Sequence, residues 1–353
     1  MRVALIFLTL LLTAPLAEAR SQKKEFERSL KERARRGVMF GHHDDTMYGY
    51  NWRYTGDGRS DTKEVTGLYP AMMSFDLSYI DKPITTRSQY DQIREAIRQQ
   101  HVRGGYTTLS WHARNPVTGK NAWDNSRDHI VHDILPGGCH HAEFISILNH
   151  VADFFLSLTD DEGRLIPIIF RPWHECNGDW FWWGSKHCTP QEYKALWKLT
   201  AKVLKRRGVS NVIYAYSPGA NIKSEENYLE RYPGDGLVSV MGVEGYAIHM
   251  TSSDSNRKTF IKRIRQQFDI VTPLAQRHHK LLAFTETGTK HNGDPQWWTQ
   301  SLLPAISGYP VCYMVVWRNA YQNDDECYGV YKGHLSESDF RQFSKNPYIL
   351  FVK

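Results

Sequence analysis

The sequence predicts a (β/α)8 TIM barrel that forms a single domain. Short apolar runs rich in β-branched residues alternate with longer amphipathic runs, the pattern of strands followed by helices. Such strands pair in parallel through crossovers, and eight units over about 310 residues fit a closed barrel with enlarged loops. The main alternative is a doubly wound open sheet. The turn after the first strand, Gly41-His42-His43-Asp44-Asp45, argues against that alternative because it is not a Gly-rich phosphate loop.

The individual elements follow from this periodicity. The predicted strands are Val38–Phe40, Ala71–Phe75, Tyr106–Trp111, Leu165–Arg171, Asn211–Tyr216, Val238–Gly242, Leu281–Glu286 and Tyr313–Trp317. The predicted helices are Gln22–Arg36, Thr86–His101, Glu143–Leu156, Gln191–Arg207, Asn256–Arg277 and Gln296–Ser307. Gly37 ends the first helix. Thr189 as N-cap and Pro190 in the first turn start the helix that follows the fourth strand.

The first 19 residues predict a secretory signal peptide, which leaves residues 20–353 as the folded domain. Arg2 precedes an apolar run that is too short to cross a bilayer, and Ala17-Glu18-Ala19 is a small-x-small cleavage site. We therefore expect an exported protein, periplasmic or secreted, without membrane insertion. The net charge of +6 is modest for this length, and no basic run interleaved with aromatic residues suggests a nucleic-acid partner. A monomer is expected.

The five cysteines leave their pairing open. Export permits disulfides, and Cys176–Cys188 and Cys312–Cys327 could each close a short loop, with Cys139 left over. Zinc is the rival interpretation, but neither a C-x-x-C nor an H-E-x-x-H pattern occurs. We expect no metal and no cofactor.

The stretch after the fourth predicted strand is the strongest functional signal. It reads Phe170-Arg171-Pro172-Trp173-His174-Glu175-Cys176-Asn177-Gly178-Asp179-Trp180-Phe181-Trp182-Trp183-Gly184. A carboxylate with Arg and His beside it stands at the strand exit, and flat aromatic faces around an acid suit a sugar ring. Buried indoles would each need a partner for the N–H group. The alternative is a Trp-rich loop that merely covers one end of the domain.

A second carboxylate, Glu286, ends the seventh predicted strand. In a barrel, strands four and seven face one another across the mouth, where active residues gather. Glycoside hydrolysis needs two carboxyl groups with opposite protonation. Glu175 lies among aromatic residues, where desolvation favours the protonated acid, whereas Glu286 would have to be held ionised by donors. By itself, Glu286 could instead be a structural ion pair or a helix cap.

These residues carry a family resemblance. The stretch Arg171-Pro172-x-His174-Glu175-x-Asn177-Gly178-x-Trp180-Phe181-Trp182-Trp183-Gly184 resembles the acid/base signature of the glycoside hydrolase family 26 β-mannanases. The resemblance extends over essentially the whole mature chain. It includes Gly41-His42, Ser110-Trp111-His112-x-x-Asn115-Pro116, Tyr232-Pro233-Gly234-Asp235, Phe284-Thr285-Glu286-Thr287-Gly288 and Trp317-Arg318-Asn319-Ala320.

The resemblance implies roles for eight side chains. Glu175 would be the general acid/base and Glu286 the nucleophile of a retaining double displacement. Arg171 and Tyr246 would support the nucleophile, and His174 would position sugar hydroxyls or the acid. His112, Trp180 and Trp317 would line the subsites, Trp317 as a stacking floor. Glu244 departs from the Asp expected in many members, which leaves the partner of that carboxylate open.

We therefore expect a retaining hydrolase of β-1,4-linked mannan, glucomannan or galactomannan, acting on the polysaccharide or on manno-oligosaccharides. The alternatives are a hydrolase of another β-glycan, such as mixed-linkage glucan or xylan, and a non-catalytic carbohydrate-binding protein. Endo action and mannobiose-releasing exo action both remain open. The long insertions over residues 44–68 and 116–141 are the candidates to close one end of the cleft.

Overall fold

The computed structural model describes residues 22–78, 80, 87–248, 252–290 and 293–353. Eight parallel strands close into a barrel, because the first pairs with both the second and the eighth, Met39 lying opposite Tyr313. In chain order the barrel strands are β1 Val38–His43, β2 Met72–Asp76, β3 Tyr106–Trp111, β4 Ile168–Pro172, β5 Val212–Tyr216, β6 Val238–Tyr246, β7 Leu281–Gly288 and β8 Val311–Val316. The predicted (β/α)8 barrel is confirmed.

A layer of helices surrounds the barrel. The α-helices are residues 22–34, Asp61–Thr66, Arg87–Val102, Ile130–Ile134, His141–Leu156, Pro190–Arg206, Glu225–Leu229, Asp254–Arg277, Leu303–Ile306 and Glu337–Ser344. Helix Pro190–Arg206 begins as predicted, with a capping box in which Thr189 and Glu192 satisfy each other's backbone N–H groups. None of the helices in the described part of the chain combines the length and apolarity needed to span a bilayer.

Several predicted boundaries were wrong by a few residues. Leu165 lies outside β4, because it forms an isolated bridge with Thr159 before the chain enters the barrel. Strands β6 and β7 run on to Tyr246 and Gly288, since polar residues at the mouth still pair along the ladder. The predicted helix Gln296–Ser307 is split into a π-helical turn, Trp298–Leu302, and a short α-helix. Thr86 and the signal peptide lie outside the described residues.

Two segments that are not part of the eight-stranded barrel lie beside β1. The insertion after β1 contains the hairpin strands Tyr48–Gly49 and Trp52–Arg53 and the strand Tyr69–Pro70. The C-terminal strand Ile349–Val352 pairs in parallel with β1 and antiparallel with Tyr69–Pro70. The insertion is thereby attached to the barrel wall at both of its ends, which places its hairpin beside the mouth.

The suggested cysteine pairs do not form. Cys312 lies near the start of β8, whereas Cys327 follows the far end of that strand, where its thiol faces the carbonyl groups of Ala320 and Asn323. A six-residue strand spans about 20 Å, which is far beyond disulfide reach. Cys176 and Cys188 are buried thiols near the hydroxyl of Tyr216 and the guanidinium of Arg231 respectively.

Candidate active site

The chain leaves β4 through a strained turn that presents Glu175 to the barrel mouth. Trp173 and Glu175 both adopt left-handed backbone conformations, with φ of 54° and 53°, which non-glycine residues rarely adopt. The turn is fixed because the Glu175 amide donates to the carbonyl of Ser217 on the neighbouring β5 side, at 2.8 Å. The indole of Trp183 donates to the carbonyl of His174, also at 2.8 Å. Backbone strain at this position is therefore balanced by hydrogen bonds from two sides.

Three of the four tryptophans in this stretch are structural. Trp173, Trp182 and Trp183 are fully buried, and each indole N–H has a partner, respectively Thr200 Oγ1, the carbonyl of Ala113 and the carbonyl of His174. For these three the hypothesis of a sugar-stacking surface was wrong. Their rings pack edge to face behind the turn. They therefore support Glu175 from behind, and of the four only Trp180 is exposed, at 39%.

Glu175 lies in an environment that favours its protonated form. Burial and the negative charge of Glu286 raise its pKa. The indole N–H of Trp180 donates to Glu175 Oε2 at 2.8 Å, which acts in the opposite direction because it stabilises the carboxylate. Glu175 thus has surroundings that favour the protonated acid more than water would, as a general acid requires.

The surroundings of Glu286 differ from those of Glu175, because a cationic side chain donates to it directly. It is buried at the end of β7, and its two oxygens accept from different donors. The guanidinium of Arg171 donates to Oε1, and the hydroxyl of Tyr246 donates to Oε2 at 2.6 Å. A carboxylate that accepts a charge-assisted hydrogen bond on one oxygen and a phenol hydroxyl on the other is fixed in orientation, with a positive charge directly beside it.

Arg171 connects this carboxylate to a third one, Glu244 on β6. Its guanidinium donates to Glu244 Oε1 at 2.7 Å as well as to Glu286. Burial opposes the charge of Arg171, but the two carboxylates outweigh burial and raise its pKa. The partner of Glu244, left open by the sequence, is therefore Arg171, together with the hydroxyl of Ser217. Burial and the charge of Glu286 raise the pKa of Glu244 well above its usual range.

The three carboxylates converge closely. One oxygen each of Glu175, Glu244 and Glu286 lies within 4.8 Å of the others. Carboxylate oxygens are ligands that hard cations accept, so these side chains could hold an ion by donor type alone. Arg171 already supplies a positive charge to two of them, however, and no further cation is required to bring them together.

A row of histidines forms the side of the mouth next to Glu175. His112 is bonded through Nδ1 to Asp76 Oδ2 at 2.7 Å, and its Nε2 lies 3.2 Å from Nε2 of His174. His43 stacks on Trp317, with ring centroids 3.9 Å apart and an angle of 20° between the planes. Trp317 is thus held in place by an imidazole, and it also lines the cleft.

A cleft of about 1050 Å³ runs over these groups. Six of the eight predicted site residues line it, namely Glu175, Glu286, His112, Trp180, Tyr246 and Trp317. Arg171 and His174 lie behind the lining, where they contact other site residues rather than the cleft. The structure therefore brings all eight residues together in two layers.

The cleft also contains residues to which the sequence assigned no role. Among them are Asp44, Asp76, Trp123, Arg318 and Tyr328. Burial raises the pKa of Asp44 to about 7, although the hydroxyl of Tyr48 donates to it. Asp76 ends β2, as the sequence predicts, and Asp44 directly follows β1, a position that could have identified it in the same way.

Comparison with known proteins identifies the family. The family model of Glycosyl hydrolase family 26 matches residues 17–283, three quarters of the chain. The chain belongs to glycosyl hydrolase family 26. A mannan endo-1,4-β-mannosidase of Bifidobacterium adolescentis is 32% identical over 308 residues, which is 81% of this chain but 30% of that protein. The chain spans less than half of the length of this relative and of a Bacillus subtilis mannan endo-1,4-β-mannosidase, of which it covers 41%.

Solved family 26 structures match over nearly the whole chain. A family 26 β-mannanase from Bacteroides ovatus superposes with a TM-score of 0.88 at 43% identity, covering 94% of this chain and 95% of that one. A modular endo-β-1,4-mannanase from Cellulomonas fimi gives a TM-score of 0.79 at 34% identity, covering 95% and 75% respectively. The family model ends before Glu286, but these superpositions cover enough of the chain to include the second half of the barrel.

Proposed function

We propose that this family 26 protein hydrolyses β-1,4-mannosidic bonds with retention of configuration at the anomeric carbon. The observation that carries the proposal is the pair Glu175 and Glu286, which have opposite surroundings and carboxylate oxygens within 4.8 Å. Retaining glycosidases keep their two carboxyl groups about 5–5.5 Å apart, whereas inverting ones leave room for a water molecule at about 6.5–9.5 Å. The similar proteins described as mannanases favour mannan as the substrate.

In the first step, Glu286 attacks the anomeric carbon while Glu175 transfers its proton to the departing glycosidic oxygen. Glu286 forms an ester with the sugar, and Glu175 is left as an anion. In the second step, Glu175 takes a proton from water, and the resulting hydroxide displaces Glu286. Arg171 and Tyr246 orient Glu286 for attack and stabilise it again when it leaves. Trp317 and Trp180 are aromatic surfaces of the cleft that would line the subsites around the bond that breaks.

Hydrolysis should be tested on mannan, mixed-linkage glucan and xylan in parallel. We expect reducing sugar to be released from mannan, and the sugar newly released to be the β-anomer when NMR spectra are recorded before mutarotation. A 2-deoxy-2-fluoro-mannosyl fluoride should label Glu286, as identified by peptide mass spectrometry. Labelling at another residue, or preference for glucan or xylan, would contradict the proposal. The products from mannohexaose over time distinguish endo from exo action.

A non-catalytic carbohydrate-binding protein is the alternative from another class. Binding alone would need the aromatic surfaces of the cleft, but would not need Arg171 and Tyr246 to hold Glu286 from both sides. Retention of mannan without any release of reducing sugar would favour this alternative.

Replacing Trp180 with phenylalanine should shift the pH dependence of the first step. Trp180→Phe keeps an aromatic ring but removes the indole N–H that stabilises the Glu175 carboxylate. The pKa of Glu175 should rise, so the protonated acid should persist to higher pH. We expect the alkaline limb of the kcat/KM profile for a manno-oligosaccharide to move to higher pH. Trp123→Phe, at the other exposed tryptophan of the cleft, should leave that limb in place whatever its effect on rate. A limb that moves to lower pH in Trp180→Phe would contradict the assignment.

A further inference from the structure

Trp180 faces the cleft from the stretch that presents Glu175, and two contacts position its indole. The indole N–H donates to Glu175 Oε2 at 2.8 Å. The benzene ring of the indole lies directly against the backbone of Gly178. A Cβ atom added to Gly178 would lie less than 3.0 Å from three carbons of that ring, Cη2, Cζ3 and Cζ2, which is closer than real side chains approach one another. The indole therefore occupies the space that a side chain at residue 178 would need.

The backbone of Gly178 is held on both sides of its Cα atom. Its amide donates to the carbonyl of Glu175 at 2.9 Å. Its carbonyl accepts from the amide of Ser185 at 2.7 Å and from the hydroxyl of Ser185 at 3.1 Å. The preceding residue, Asn177, is bonded through its side-chain amide to both the carbonyl and the amide of Gly219. These hydrogen bonds fix the position of the Gly178 Cα atom relative to Glu175.

A buried arginine anchors the other side of this loop. Arg231 lies in the connection between β5 and β6, and its guanidinium donates to the carbonyl groups of Ser185 and Cys188 at 3.1 and 2.8 Å. Hydrogen bonds from a charged donor are stronger than those between neutral groups. Ser185, which holds the carbonyl of Gly178, is therefore itself held, and the backbone of residues 178–188 resists displacement.

The indole of Trp180, by contrast, has room to move. Its side chain is exposed and lines the open cleft. The ring of Phe181 meets it edge to face, with ring centroids 6.2 Å apart, and does not cover it. A methyl group on residue 178 would therefore displace the indole rather than the backbone, and the indole N–H would leave Glu175.

We propose that Gly178 is a positioning residue of the active site: because it has no side chain, the indole of Trp180 rests on the loop backbone with its N–H group at Glu175. The inference rests on the function proposed above, in which Glu175 is the general acid/base and Trp180 lines a subsite. An aromatic surface that is fixed before the sugar arrives loses less conformational freedom on binding. Gly178 should therefore influence sugar binding and catalysis, and it should do so through Trp180.

The test is a double-mutant cycle of Gly178→Ala and Trp180→Phe, measured as kcat/KM for mannohexaose. Gly178→Ala alone should lower kcat/KM by about 10–100-fold, the order of a lost hydrogen bond to an ionisable group. Phenylalanine lacks the three ring carbons that the added methyl group would meet. In the Trp180→Phe protein, Gly178→Ala should therefore cost at most about twofold, because both changes act through one contact.

A crystal structure of Gly178→Ala tests the same inference without reference to activity. The indole nitrogen of Trp180 should lie beyond about 3.5 Å from Glu175 Oε2, outside hydrogen-bond range. The backbone of residues 175–185 should be unchanged, because the hydrogen bonds to Ser185 and Asn177 remain.

The matched control is Gly236→Ala, since a Cβ atom on this exposed glycine would meet open space. It should leave kcat/KM unchanged. An equal loss from Gly178→Ala with and without Trp180→Phe, or an indole that still donates to Glu175 in the variant, would overturn the inference. If Gly178→Ala does not fold alone, the double variant decides: folding with the activity of Trp180→Phe supports the inference, and failure to fold overturns it. If the unmodified protein binds mannohexaose without cleaving it, the proposed function fails instead, and the cycle is then measured on the dissociation constant.

Discussion

Glu286→Ala is expected to lower kcat on mannan by at least about 10⁴-fold, the order observed when a catalytic nucleophile is removed. The substitution removes the attacking oxygen and leaves Arg171 and Tyr246 without their shared acceptor. It also opens a small cavity on the face of the sugar from which Glu286 would attack. Added azide should fill that cavity and attack an activated aryl β-mannoside from the same face. The product should be the α-mannosyl azide, identified by NMR.

The control for this prediction is Glu230→Ala, which changes an exposed glutamate away from the mouth and should leave kcat unchanged. Formation of the β-mannosyl azide by Glu286→Ala would contradict the role proposed for Glu286, because that product requires two displacements. Activity on mannan within tenfold of the unmodified protein would contradict it as well.

Glu175→Ala is expected to lower kcat on mannan by about 10²–10⁴-fold, the usual contribution of general acid–base catalysis. Mannan has a poor leaving group that needs a proton, so the first step should almost stop. An activated aryl β-mannoside needs none, and its first step should be nearly unaffected. The second step lacks its base, so glycosyl-enzyme should accumulate. Azide, which requires no base, should then restore turnover and yield the β-mannosyl azide.

The two glutamate variants serve as controls for each other, because azide gives products of opposite configuration in the two cases. If Glu175→Ala loses kcat/KM equally on mannan and on the aryl mannoside, Glu175 is not the proton donor. If both variants yield the same azide, the two roles are not divided as proposed.

Much of the fold was predictable because it depends on local pattern. The apolar runs that became β1 to β8 are continuous because helices cover one face and the barrel interior covers the other. The positions of Glu175 and Glu286 follow from the same pattern, since a residue at a strand exit of a barrel lies at the mouth. The ends of the strands were less predictable. Leu165 is apolar, as a strand residue would be, but it forms an isolated bridge with Thr159 outside β4.

The inner layer of the site was harder to predict, because its contacts join residues that are distant in the chain. Arg171 and Glu244 are 73 positions apart, and Asp76 and His112 are 36 positions apart. The spacing of residues in the sequence contains no record of which carboxylate meets which base. For the same reason the cysteine pairs suggested by short spacing were wrong. Cys312 lies near the start of β8 and Cys327 lies beyond its far end, although the two are close in the chain.

The sequence by itself determined the number and order of the barrel strands and the two glutamates at the exits of the fourth and the seventh, because periodicity and strand exits are local properties of a chain. Only the tertiary structure decided that Trp173, Trp182 and Trp183 turn inward and Trp180 outward. It alone decided that Arg171 joins Glu286 to Glu244 and that Asp76 holds His112. Burial and charge pairing set the surroundings of each of these groups, and both depend on neighbours that closure of the barrel brings together.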